Sequence, residues 1–131
     1  MRPKSKKKTL TPKQKKQPNF SLGLAGEKLA GEFLVKNAYQ ILASNYEFAG
    51  CEIDIIARDL SQNEIVFVEV KTRASSDYGS PSLAVNQQKI DKIARVASHY
   101  LKSKNLQADY RFDIIAICGQ EVEHFINVTW P

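Results

Sequence analysis

Two strand-like runs, Glu52–Arg58 and Ile65–Thr72, flank the polar segment Asp59-Leu60-Ser61-Gln62-Asn63-Glu64, and both carry charge inside an apolar pattern. The spacing predicts a hairpin. If Leu60 faces Asn63 across its loop, Ile56 faces Phe67, Asp54 faces Glu69 and Glu52 faces Lys71. One face then holds Ile53, Ile55, Ala57, Val66, Val68 and Val70, an apolar set that belongs in a core. The other holds Glu52, Asp54 and Ile56 against Phe67, Glu69 and Lys71. A slip of one residue would change these partners. It would not separate Glu69 from Lys71, or Glu52 from Asp54, because side chains alternate along a strand.

Carboxylates about 5 Å apart repel by roughly 3 kcal/mol at an effective dielectric near 20, so packing alone gives a sheet no reason to juxtapose them. A divalent cation reverses the sign. Mg²⁺ or Mn²⁺ takes hard oxygen ligands, and Asp54 and Glu69, joined by the backbone carbonyl of Val70, can supply them. Lys71 then stands two residues beyond Glu69, placed to hold or deprotonate a water and to offset charge growing on a phosphate. These residues suit phosphodiester hydrolysis. The competing reading makes Glu52 with Lys71, and Asp54 with Arg58 or Lys71, ordinary ion pairs at the solvated end of a sheet, worth little. Against it, Ile56 and Phe67 on the same face indicate that the face is covered.

Elsewhere the chain is plainer. Leu22, Ala25, Gly26, Leu29, Ala30, Phe33 and Leu34 recur at helical spacing and predict a helix over 20–37. Tyr39, Ile41 and Leu42 begin a short strand ending near Tyr46. Pro81 precedes an amphipathic helix over about 83–104, and Asp113–Cys118 and Val122–Val128 predict two final strands. The order α-β-β-β-α-β-β argues for an α/β or α+β sandwich, a mixed sheet with a helix on each face. In the second helix Gln88, Lys89, Lys92 and Arg95 are candidate phosphate contacts, and equally a solvated basic face. Glu27 has glycines four residues away on either side, Gly23 and Gly31, where Glu32 has Lys28 and Lys36, so Glu27 rather than Glu32 is the first-helix acid expected to face an ion. A surface Glu near a helix N-terminus is the alternative. Tyr78 and Gly79 lie on a loop that can border the site, and Trp130 is expected to pack on the end of the sheet. His99 and His124 are isolated in sequence and receive no role.

Charge divides the 131 residues unevenly. Residues 1–18 hold eight cations, three prolines and no acid, while 19–131 keep 11 cations against 14 acids. We read 1–18 as a disordered basic tail and 19–131 as one domain. Such a tail would give a salt-sensitive attraction to nucleic acid. No run is long enough to span a bilayer, and no apolar core of a signal peptide follows the basic N-terminus, so a soluble, cytoplasmic protein is expected. Cys51 and Cys118 lack companions at ligand spacing and are expected to be free thiols.

The segments GCEIDIIA (Gly50 to Ala57) and FVEVKTR (Phe67 to Arg73) resemble the PD-(D/E)xK restriction-endonuclease-like fold, with Asp54, Glu69 and Lys71 in its metal and catalytic positions. The run GLAGEKLAGEFL (Gly23 to Leu34), Asn45, Tyr78-Gly79, the lysine-bearing second helix and RFDIIAI (Arg111 to Ile117) are similar to the YraN family of small bacterial proteins, over about 20–128. The resemblance implies an α/β sandwich with a Holliday-junction-resolvase-like core and Mg²⁺- or Mn²⁺-dependent action on DNA, with Glu27 and Glu52 in support. Resolvase-like action on a symmetric junction would call for a homodimer. Two positions depart from the family pattern: Cys51 stands where Gly is usual, and Glu47 where Arg is usual. The second removes a cation from a surface that would meet phosphate. Two functions follow as alternatives, a nuclease or a non-cutting module that binds nucleic acid or a protein partner.

Overall fold

The computed structural model describes residues 18–73 and 87–128. Residues 1–17 of the expected tail (1–18), Tyr78, Gly79, Trp130 and the expected start of the second helix lie outside the described residues. Helix α1 (Pro18–Lys36) leads into strands β1 (Tyr39–Phe48), β2 (Cys51–Asp59) and β3 (Glu64–Arg73), then helix α2 (Gln87–Ser103), β4 (Tyr110–Cys118) and β5 (Glu121–Phe125). Pro18 at the helix start is favourable, since proline lacks an N–H that the first turn could not use. At the other end, Asn37 Nδ2 donates to the Phe33 carbonyl at 2.7 Å, and Ala38 turns the chain at φ 67°.

The strands form one sheet in the order β1-β2-β3-β4-β5. Neighbours run antiparallel except β3 and β4, which are parallel and joined through α2. This is the mixed sheet with helices that the element order predicts, consistent with a restriction-endonuclease-like sandwich. The β2–β3 pairing has the expected register, Ile56 opposite Phe67 and Asp59 opposite Glu64.

Each sheet face has its own core. Ala30 and Leu34 of α1 pack with Tyr39, Ile55, Ala57, Val66, Val68, Ile115 and Ile117, while Ile93, Val96, Ala97 and Tyr100 of α2 pack with Ile56, Ile65, Phe67, Phe112 and Ile114. Burying such side chains stabilises by about 1.5–3 kcal/mol each. One assignment needs correction: Ile53 packs with the α2-side cluster, not with Ile55 on the α1 side. Ile53 lies beyond Ile55, where β2 has left β3 and pairs with β1 alone, with Asn45 at φ 53° standing at the register position of Asp54. The sequence expectation also makes β1 too short, starts β4 three residues late and runs β5 to Val128. β5 stops where Asn127 takes φ 55° and turns its N–H to Asp113 Oδ1 at 2.8 Å.

Candidate active site where two strands part

Beyond Ile55 opposite Val68, β2 and β3 cease to pair, while β3 continues beside β4 as far as Arg73 opposite Cys118. Asp54 sits at this divergence. Its Oδ2 accepts the Val70 N–H at 2.8 Å, a donor that a continued ladder would have satisfied. A strand residue points its N–H and C=O to the same side, so the Val70 carbonyl opens towards Asp54 as well. Asp54 is largely buried, and the consequence is electrostatic. Burial foremost, then the charges of Glu27, Glu69 and Glu52, raise its carboxyl to about 7 against the opposing pull of the Val70 N–H. Among the described residues no cation pairs with Asp54. The ordinary ion pairs of Asp54 with Arg58 or Lys71 are therefore not formed; Arg58 instead donates to Asn63 Oδ1 at 3.1 Å.

Glu69 has the opposite environment. Lys71 Nζ lies 3.0 Å from its Oε2, and Lys89 Nζ contacts its Oε1. Burial works to raise its carboxyl, but the hydrogen bonds and charges of Lys89 and Lys71 outweigh this and hold it below the usual range. The Glu69–Lys71 proximity follows from strand period two; Lys89 arrives from α2, across the sheet face.

Glu27 is half-buried on α1 and acts on Asp54 through its field. Gly26 makes this possible, since a Cβ there would lie 2.7 Å from Thr72 Oγ1 and push α1 off β3. Glu52 is exposed and pairs across the β1–β2 ladder with Glu47. Glu47 and Glu52 thus set acid against acid. Of the candidate phosphate contacts, Gln88, Lys92 and Arg95 are exposed, and Lys89 is turned onto Glu69. Gln88, Lys92, Arg95, His99 and Lys102 follow helical spacing as one exposed stripe, and His99 stacks on Phe48 at 3.7 Å and 10°.

Among the described residues no three His, Cys, Asp or Glu side chains converge to cage a metal ion unaided. The set present is two carboxylates and a main-chain carbonyl. Those hard oxygen donors fit Mg²⁺ or Mn²⁺, which commonly takes one or two carboxylates and completes its shell with water and substrate phosphate. Burial first, and then the nearby acids, favour the neutral form of Asp54, and a divalent cation would oppose both by favouring its carboxylate.

Sequence reasoning missed a second polar constellation. Arg111, nearly buried on β4, donates to Asp59 Oδ2 at 2.9 Å, Glu64 Oε1 at 2.7 Å, Tyr39 Oη at 2.7 Å and Asp113 Oδ1 at 3.0 Å. Asp113, wholly buried, lies 2.8 Å from His124 Nε2, so His124 is not isolated. A cleft of about 500 Å³ opens beside Tyr39, Arg111 and His124. The available signal was a pair of opposite charges, Arg111 and Asp113, two residues apart at the start of an otherwise apolar strand. Every polar atom of this pair has partners from the protein itself, and it reads as a brace.

The layering and the parted strands define a class, a small α/β protein of restriction-endonuclease-like architecture. The model for the family described as "Uncharacterised protein family UPF0102" matches residues 26–117. A UPF0102 protein of Alkaliphilus metalliredigens is 47% identical over 110 residues, covering 82% of this chain and 95% of the relative. Another, from Caldanaerobacter subterraneus subsp. tengcongensis, is 46% identical over 121 residues, covering 86% and 98%. The chain belongs to the UPF0102 (YraN) family. Among the described residues no helix is long and apolar enough to cross a membrane.

Proposed function

We propose that this protein is a divalent-cation-dependent phosphodiesterase acting on nucleic acid, DNA in the first instance. The observation that carries this reading is the parting of β2 from β3 at Asp54, which sets its carboxylate on the Val70 N–H, between the neighbours Glu69 and Lys71 that pair with each other. Asp54, Glu69 and Val70 would hold Mg²⁺ or Mn²⁺, which supplies charge stabilisation at a phosphate and a more acidic water. Lys71, kept at the site by Glu69, orients the attacking water and offsets the negative charge gathering on the phosphate oxygens. One water adds and one P–O bond breaks, giving a phosphate monoester and an alcohol. Glu27 and Glu52 deepen the negative field at Asp54, and the exposed stripe of α2 offers Gln88, Lys92 and Arg95 to the backbone of a strand.

The Glu47–Glu52 pairing favours a second reading, a module that binds nucleic acid or a protein without cutting, because it places like charges on a surface that would meet phosphate. Ion linkage tests whether the carboxylates form a metal site at all. At ten times its Kd, an ion bound only by the folded state stabilises by about 1.4 kcal/mol, about 5 °C in Tm for a domain near this size. Mn²⁺ should raise the melting temperature of the wild type by that order and leave Glu69→Ala unmoved. No shift with Mg²⁺ or Mn²⁺ would remove the metal site, and the phosphodiesterase with it.

A further inference from the structure

Glu69 is balanced twice over. Lys71 is its neighbour by strand geometry and already offsets one negative charge, yet a second ammonium, Lys89, reaches the other carboxylate oxygen from the first turn of α2. The surplus cation stands on an oxygen that a divalent ion would need, while Asp54, Glu27 and Glu52 crowd negative charge nearby. The Lys89 side chain is 40% exposed against 20% for Glu69, so it can swing out to solvent without unpacking a core. Gln88 and Lys92 beside it on α2 are exposed.

We propose that Lys89 is an internal competitor for the divalent cation: its ammonium occupies Glu69 before loading, yields that oxygen on loading, and then takes a phosphate of the nucleic acid. This rests on the metal site of the preceding section and adds a coupling to it. Cation and nucleic acid each favour the state in which Lys89 has left Glu69, so each must tighten the binding of the other by the same factor.

The test is calorimetric titration of Mn²⁺ into the full-length chain, wild type against Lys89→Met and Lys89→Arg, with Asp54→Ala as the site control. Removing a competing ion pair of this partly exposed kind is expected to tighten Mn²⁺ binding about 5-fold in Lys89→Met. Lys89→Arg, which keeps the cation, should bind as the wild type does. A short duplex added with Mn²⁺ should tighten the ion in the wild type and do so less in Lys89→Met. Unchanged or weaker binding in Lys89→Met, with binding still abolished by Asp54→Ala, overturns the competitor role and leaves the metal site standing. Absence of Mn²⁺ binding in the wild type overturns both.

Discussion

Asp54 is a carboxyl whose surroundings favour its neutral form, with burial as the largest cause and a carboxyl raised to about 7. In the unfolded chain an Asp titrates near 3.9. Between those values the folded state holds the extra proton, so the stability Asp54 contributes is present at low pH and declines as pH rises from about 4 to about 7. Asn mimics the protonated form and can still accept from the Val70 N–H. In the absence of divalent ions, Asp54→Asn should therefore be more stable than the wild type at pH 8, by up to about 4 kcal/mol, and nearly equal to it at pH 4. Urea denaturation at the two pH values measures this. An equal offset at both would show that the proton on Asp54 plays no part.

Much of the element scale is legible in the sequence, and the exceptions have physical causes. The hairpin register followed from closing the loop with Leu60 opposite Asn63, and Ile56 does stand opposite Phe67. The same periodicity brings Glu69 and Lys71 together. It fails at Ile53, which lies past the point where β2 leaves β3 and the paired hairpin that period-two reasoning assumes has ended. Lys89 on Glu69 was not legible, because it depends on how α2 crosses the sheet. Nor was the Arg111 brace, which needs β4 parallel to β3 so that residues 47 and 52 positions apart in sequence meet. That brace joins β1, the β2–β3 turn and β4 through Tyr39, Asp59, Glu64 and Asp113. Burial disfavours the Arg111 charge, but its bonds to Asp113, Glu64 and Asp59 outweigh this and keep it firmly protonated. Arg111→Ala leaves buried carboxylates without their cation and should cost about 3–5 kcal/mol. A loss under about 1 kcal/mol in a denaturant melt would show that the network braces nothing.

At the scale of the whole molecule, the brace and the candidate site lie at opposite ends of the β2–β3 hairpin. Asp59 and Glu64 flank its loop, while Asp54 and Glu69 sit where the strands part. One end carries satisfied ion pairs beside the Arg111 cleft, and the other gathers acids around Asp54 and ammonium groups on Glu69. Charge is divided along the chain in the same spirit, with eight cations in residues 1–18 and an acidic remainder. The central claim is that the Asp54 end hydrolyses phosphodiesters. Its most direct test is incubation of branched, flapped, single-stranded and duplex DNA, and structured RNA, with the wild type and Mn²⁺, beside Asp54→Ala and Lys71→Ala. We expect cleavage of at least one substrate by the wild type, a loss of about 10²-fold or more in Lys71→Ala, and none in Asp54→Ala. Tight binding with no cleavage of any substrate, or cleavage that survives both substitutions, would contradict the account.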